Sequence, residues 1–221
     1  MRKLVIFDLD GTLVDTVTDV HISLNLALKQ IGLPEISIDA AKRAIGPGPD
    51  EFLIHVLGKD NLHLQNEFRE AFRPIYWEHC TDHATPFEGI VPLLKSLRDH
   101  GVKLAVATNK ARPGTQPMLK ALNLNTYFDA VLSRDDVKRP KPHPEMLLKA
   151  CELVDVEPAE ALMLGDTDND ILAARDAGIP SCVALWGYSH HFDELLDLAH
   201  YSAKSPQDVL TLFETEPVEH V

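Results

Sequence analysis

Lys3-Leu4-Val5-Ile6-Phe7-Asp8-Leu9-Asp10-Gly11-Thr12-Leu13 is the stretch on which the reading of this chain turns. Leu4 to Phe7 form a short apolar, β-rich run, and the aspartates and glycine after it end the run in a polar turn. The segment therefore reads as a buried strand that delivers carboxylates to the edge of a sheet. Four later runs share this form. Lys103 to Ala107 ends at Thr108-Asn109, Ala130 to Leu132 at Ser133-Arg134, Ala161 to Leu164 at Gly165-Asp166, and Ser181 to Leu185 at Trp186-Gly187. Between them lie stretches of helical period: Ile90, Leu93, Leu94 and Leu97; Leu147, Ala150, Cys151 and Val154; Ile171, Ala174 and Ala177, closed by Gly178 and Pro180. Strand and helix alternating at this spacing predict βαβ units and a doubly wound, Rossmann-like parallel sheet, an α/β core.

One region breaks the alternation. From residue 16 to residue 81 there is no strong strand, and two apolar stripes recur at helical intervals: Val17, Val20, Leu24, Ala27 and Ile31, then Leu64, Phe68, Phe72 and Ile75. This predicts an α-helical cap over 16–81 inserted into a core made of 1–15 and 82–221. Pro74, inside the second stripe, is expected to kink or interrupt its helix. The tail from Glu214 to Val221 has little apolar content and is expected to fray.

The 221 residues carry a formal charge of −13, with 45% hydrophobic and 25% charged residues, which fits a folded globular chain and opposes attraction to nucleic acid or an anionic membrane. The longest run of hydrophobic residues, Cys182 to Trp186, is far short of the roughly 20 that cross a bilayer. The apolar stretch after Met1-Arg2-Lys3 stops at Asp8, too soon for a signal peptide, and the three cysteines stand far apart in no metal-type spacing. A reducing, cytoplasmic setting is the expectation.

In an open parallel sheet, ligands bind beyond the carboxyl ends of the strands. Asp8 and Asp10, Thr108 and Asn109, and Asp166, Asp168 and Asp170 all follow strands in this way and would converge if those strands are adjacent. Converging carboxylates repel one another, so a cation is expected among them. A hard, all-oxygen donor set without histidine or thiolate favours Mg²⁺, which takes one or two carboxylates and completes its shell with water and phosphate oxygens. One carboxylate of Asp8-Leu9-Asp10 could attack phosphorus while the other donates a proton to the leaving alcohol. Taken alone, the pair fits a turn-and-cap role equally well. Thr108 and Asn109 could likewise be helix caps. Lys141, stiffened between prolines in Arg139-Pro140-Lys141-Pro142-His143-Pro144, is either a solvated lysine or a fixed cation facing the acidic crevice.

Taken in order, Asp8-Leu9-Asp10-Gly11-Thr12-Leu13, the strand into Thr108-Asn109, Lys141-Pro142-His143-Pro144 and Gly165-Asp166-Thr167-Asp168-Asn169-Asp170 resemble the four motifs of the haloacid dehalogenase-like hydrolase superfamily, over residues 3 to about 213. The position of the helical insert is similar to that of the subgroup containing phosphoglycolate phosphatase and β-phosphoglucomutase. The resemblance implies that Asp8 is a nucleophile forming an aspartyl-phosphate and Asp10 the general acid and base. It implies that Thr108, Asn109 and Lys141 hold the phosphoryl group. It also implies that Mg²⁺ binds Asp8, the Asp10 carbonyl and Asp166, with Asp170 acting mainly through water, and Asp168 the least secure member of its loop. The second aspartate disfavours dehalogenases and phosphonatases, whose motifs lack it. The implied activity is Mg²⁺-dependent hydrolysis of a small phosphomonoester, phosphoglycolate leading, by a monomer or homodimer. A phosphomutase of the β-phosphoglucomutase type and a non-catalytic phosphate-binding relative are the alternatives.

The cap would read the rest of the substrate. Its six Lys/Arg and nine Asp/Glu make no basic lid. Lys42 and Arg43, before Ile45-Gly46-Pro47-Gly48-Pro49, are the local cations of a turn that could approach the crevice, and Arg43 is the candidate for a substrate carboxylate. Trp186-Gly187-Tyr188 reads as a turn packed on the core.

Overall fold

A computed structural model of the chain describes residues 2–46 and 49–214. Pro47 and Gly48 of the cap turn, and the tail beyond Glu214, lie outside the described residues. In chain order the elements are β1 (Leu4–Phe7), β2 (Val14–Asp15), α1 (Val17–Gln30), α2 (Ile38–Ala44), α3 (Pro49–Leu57), α4 (Gln65–His79), β3 (Thr85–Pro86), α5 (Ile90–Asp99), β4 (Lys103–Ala107), α6 (Arg112–Ala121), β5 (Ala130–Leu132), α7 (Glu145–Val154), β6 (Ala161–Gly165), α8 (Asp168–Ala177), β7 (Ser181–Ala184), α9 (Phe192–Leu198), β8 (Tyr201–Ala203) and α10 (Pro206–Glu214).

Six strands form one parallel sheet in the order β5-β4-β1-β6-β7-β8. The first strand is central, in register with Leu104 and Leu162 at Val5 and with Val106 and Leu164 at Phe7. Its side chains alternate between two cores. Val5 and Phe7 pack with Leu104, Val106, Leu162 and Leu164 against Ile90, Leu93, Leu94 and Leu97 of α5. Leu4 and Ile6 face the other way, with Ala105, Met163 and the small faces of α7 and α8. Helices on both faces explain why β1 and β6 read as unbroken apolar runs: neither face meets water. The chain leaves β1 toward β4 and β5, then returns to β6 and continues to β8, so the reversal of direction falls at β1, where a crevice opens beyond the strand ends.

All five expected strands form. The sixth, β8, escapes the sequence because it is an edge strand with Tyr201 and Ser202 exposed, so no apolar run marks it. A two-residue ribbon, β2 with β3, brackets helices α1 to α4, and α1 packs along α4. Contrary to expectation, α4 runs unbroken through Pro74. Pro74 and Glu70, whose carbonyl loses its helical partner to the missing N–H, are both exposed, so water can satisfy that carbonyl.

Where the chain passes between the sheet and the helical layer, buried Asp19 of α1 accepts the backbone N–H groups of His83 and Ala84, each at 2.9 Å. Tyr188 ties the other passage. Its hydroxyl donates to Asp15 Oδ1 at 2.6 Å and accepts from the N–H groups of Thr16 and Val17. Cys80, Cys151 and Cys182 are all buried and free, and burial pushes their thiols up, Cys151 to about 11 and Cys182 to about 12. No helix among the described residues is long and apolar enough to cross a membrane.

Candidate active site

The two motifs that follow β1 and β6 meet because those strands are neighbours. Asp8 continues β1, donating its backbone N–H to the Leu164 carbonyl, and Asp166 stands in the equivalent place after β6. Between Asp8 and β2 the chain turns tightly. The Leu9 carbonyl accepts from Thr12, Leu13 and Val14, and the Val14 carbonyl accepts from Gly11, which leaves the Asp10 carbonyl unclaimed among the described residues. Gly11, at φ 85°, is needed here: a Cβ would lie 2.4 Å from Asp166 Oδ2. Gly187 closes the other side of the same carboxylate, its would-be Cβ 2.2 Å from the Asp166 Cβ. Asp166 is thereby fixed, with Oδ1 accepting from the Thr12 hydroxyl at 2.8 Å and Oδ2 from the Tyr188 N–H at 2.7 Å.

Thr167 caps α8, and Asp170, three residues on, returns its carboxylate to the Thr167 N–H and hydroxyl, a reciprocal cap that turns Asp170 inward. Asp8, Asp166 and Asp170 are all buried, and a carboxylate oxygen from each lies within 4.8 Å of the others. Lys141 is also buried, not solvated. Its ammonium donates to Asp8 Oδ1 at 2.9 Å and Asp170 Oδ1 at 2.6 Å, and its carbonyl accepts from the Asn109 amide at 2.8 Å. Asp168 is exposed and, among the described residues, bonds only the N–H of Asn169, outside the cluster.

Electrostatics express the crowding. Burial pushes the Asp8 carboxyl up to about 7, against the pull of Lys141 and with the help of Asp170. Burial, then Asp8 and Asp170, also hold Asp166 well above the carboxylate range. For Lys141, burial works to lower the ammonium but Asp170 and Asp8 outweigh it and the net shift is upward. If all three carboxylates ionise against the one ammonium, two negative charges are left over, a state that the upward shifts of Asp8 and Asp166 oppose unless a further cation is present. That deficit equals one divalent cation, and the donors are all oxygen, so the residues fit Mg²⁺.

Thr108, buried after β4, receives the N–H of Lys110 on its hydroxyl at 3.1 Å, and the Oδ1 of Asn109 is buried without a hydrogen-bond partner among the described residues. Both line a cavity of about 500 Å³, with Asp8, Asp10 and Lys141 on its floor.

Sequence reasoning missed Lys110. Its buried ammonium meets Asp10 Oδ1 at 2.9 Å and Oδ2 at 3.3 Å and donates to the hydroxyl of Tyr76 from α4. Burial opposes the charge on Lys110, but Asp10 and Tyr76 outweigh it and shift it up. Burial raises the Tyr76 phenol in turn. The signal was available, since Lys110 stands one residue beyond Asn109 at a strand end.

The cap turn does approach the crevice: the Gly46 carbonyl accepts from the Asn169 amide at 2.6 Å, and a Cβ on Gly46 would lie 2.4 Å from the Thr167 methyl. Arg43, however, is exposed and does not line the cavity. Ala41 and Ala44 are the buried face of α2, and Arg43, about 100° around the helix from Ala44, points away. Arg69 and Arg73 of α4 line the cavity instead.

Residues 5–184 match the haloacid dehalogenase-like hydrolase family. The chain is 36% identical to the phosphoglycolate phosphatase of Aquifex aeolicus over 217 residues, covering 98% of this chain and 99% of that one. It is 36% identical to that of Thiobacillus denitrificans over 192 residues, 85% of each chain. Among solved structures, the crystal structure of a protein described as a predicted phosphoglycolate phosphatase from Haemophilus somnus superposes with a TM-score of 0.88 at 28% identity, over 96% of this chain and 98% of that one.

Proposed function

This chain belongs to the haloacid dehalogenase-like hydrolase family, and on that premise we propose that it is a Mg²⁺-dependent phosphatase of a small phosphomonoester, phosphoglycolate first among candidates, working through an aspartyl-phosphate on Asp8. The observation that carries the reading is the buried trio Asp8, Asp166 and Asp170, whose charge Lys141 balances by only one third. The names of the relatives at 36% identity support the ester class.

Asp8, the Asp10 carbonyl and Asp166 would hold the Mg²⁺, with Asp170 behind them. When bound, the ion neutralises the carboxylates and phosphoryl oxygens so that an anionic nucleophile can approach an anionic phosphate. Asp8 Oδ1 is occupied by Lys141, and its other oxygen, which accepts no hydrogen bond among the described residues, attacks phosphorus. As the Asp8–P bond forms, the P–O bond to the leaving alcohol breaks, and Asp10 supplies that oxygen with a proton. Asp10 then takes a proton from water, the water oxygen bonds to phosphorus, and the Asp8–P bond breaks to release inorganic phosphate and restore both carboxyls. Lys110 positions the Asp10 side chain, which enters the first step as the carboxylic acid and the second as the carboxylate, while Thr108, Asn109 and Lys141 steady the phosphoryl oxygens. The helical layer over 16–81 acts as a cap on a core of 1–15 and 82–221, keeping bulk water out during the first step. The reducing interior of a cell suits the three buried, unpaired cysteines.

The test is phosphate release from phosphoglycolate, sugar phosphates, nucleotides and pyrophosphate, with and without Mg²⁺. Metal-dependent release that disappears in Asp8→Asn is the expected result. Equal release by Asp8→Asn would refute the nucleophile, and isomerisation of a sugar phosphate with little free phosphate would replace the phosphatase by a mutase.

A further inference from the structure

The two lysines of the cavity are already matched, Lys141 by Asp8 and Asp170 and Lys110 by Asp10, while exposed Arg134 after β5 lines it without a side-chain partner among the described residues. On the wall formed by α4 the situation is reversed. Arg69 and Arg73 line the same cavity, and neither makes an ion pair or hydrogen bond among the described residues. Arg73 has Glu70 three residues before it on its own helix, a spacing at which such pairs form readily, yet the two are not paired. Arg69 and Arg73 are themselves four residues apart, where like charges destabilise a helix. Half-buried Arg69 and exposed Arg73, one turn apart on one wall of the cavity and without a protein partner among the described residues, are placed to take an anion that is not part of the protein.

Their place on α4 is tied to the site through Tyr76. Lys110 bonds both the Tyr76 hydroxyl and Asp10, which fastens that point of α4 to the lysine beside Asp10. Along the helix axis Arg73 lies about 4.5 Å and Arg69 about 10 Å from Tyr76 at about 1.5 Å per residue. Arg73 and Arg69 line the same cavity as Asp8, Thr108, Asn109 and Lys141, so a substrate whose phosphoryl group sits on those residues shares the cavity with both guanidinium groups. We propose that Arg73, supported by Arg69, binds a carboxylate on the leaving-group side of the substrate, so that this site selects short phosphorylated hydroxy acids over esters with neutral tails. The inference rests on the phosphatase reading and deepens it by assigning the specificity-determining residues. An arginine fork matches a carboxylate in a bidentate fashion, which a neutral hydroxyl cannot reproduce.

The matched pair phosphoglycolate and 2-hydroxyethyl phosphate tests it, because the two differ only in the charged end. With Mg²⁺ and the full chain, the ratio of their kcat/KM values is expected to favour phosphoglycolate at least tenfold. Arg73→Gln is expected to cut that ratio about tenfold or more, Arg69→Gln less, and Arg73→Lys to restore part of it. A binding titration of phosphoglycolate and of inorganic phosphate into Asp8→Asn, with and without Arg73→Gln, reads the same contact without turnover. Phosphoglycolate should weaken at least tenfold and phosphate far less. If neither ester releases phosphate, the hydrolase reading fails while the titration still decides the arginines. An unchanged ratio in both glutamine variants, equal weakening of both ligands, or tighter binding of ethylene glycol bisphosphate than of phosphoglycolate would overturn the carboxylate assignment.

Discussion

Replacing the proposed nucleophile should make the metal-free protein more stable, not less. Asp8 is buried beside Asp166 and Asp170 with Lys141 as their shared cation, and its carboxyl is pushed up to about 7 from an ordinary value of 3.8. A carboxyl whose folded value exceeds its unfolded one holds its proton more tightly when folded. Stability from this group is therefore full below about pH 4 and drains away as pH rises toward 7. At about 1.4 kcal/mol per pH unit, the drain is on the order of 4 kcal/mol by pH 8. Asp8→Asn removes that cost and keeps an oxygen for the Lys141 ammonium, which also retains Asp170 at 2.6 Å. Allowing about 1 kcal/mol for the weaker bond to a neutral amide leaves a gain of about 2–3 kcal/mol at pH 8. For a chain of this size that is roughly 4–12 °C in Tm. The gain should shrink toward zero by pH 5, where wild-type Asp8 has taken up its proton. Mg²⁺ should erase the difference at about a hundred times its Kd, where it adds about 2.7 kcal/mol, and invert it at about a thousand times, where it adds about 4.1 kcal/mol, since Asp8→Asn has lost a ligand. Denaturant unfolding at pH 5 and pH 8, in chelator and in Mg²⁺, measures all four corners. An Asp8→Asn protein less stable than wild type at pH 8 in chelator, or one that gains as much from Mg²⁺, would refute the charge accounting.

Gly187→Ala is expected to displace Asp166, whose Cβ would stand 2.2 Å from the new methyl, and to weaken Mg²⁺ binding by about 10–100-fold in a metal titration. Lys110→Met leaves Asp10 without its cation, so kcat should fall by about tenfold or more, with a smaller loss in Tyr76→Phe, in steady-state phosphate release. Asp19→Ala strands the buried N–H of Ala84 and removes the tie between α1 and residues 83–84, a cost of about 2 kcal/mol by denaturant unfolding with no direct contact to the cavity.

The core was legible because the information is local. Leu4 to Phe7 and Ala161 to Leu164 are apolar on both faces, and a strand buried on both faces announces itself in a few residues. The carboxylates were legible for the same reason, since a polar residue that ends such a strand has to lie at the sheet's edge. Tyr201-Ser202-Ala203 carries no such mark, because an edge strand half in water needs little apolar content. The continuity of α4 depended on Pro74 facing solvent, which is set by how the helix lies on its neighbours. The same long-range fact decides which cationic residues of the insert meet the cavity. Arg43 is turned outward by the small buried face of its own helix, Ala41 and Ala44, whereas Arg73 lines the cavity wall on a helix whose Tyr76 docks on Lys110, 34 residues away in sequence.

The three buried thiols have a practical side. With Cys80, Cys151 and Cys182 shut from solvent and held in their protonated, unreactive form, the native chain offers maleimide and iodoacetamide reagents little to modify. One cysteine placed at exposed Glu70 on α4 and a second at exposed Lys138 on the sheet layer would then be the fast-reacting thiols of the molecule. A pair of fluorophores there would read the separation of helix and sheet in real time, without stripping the protein of its own sulfur.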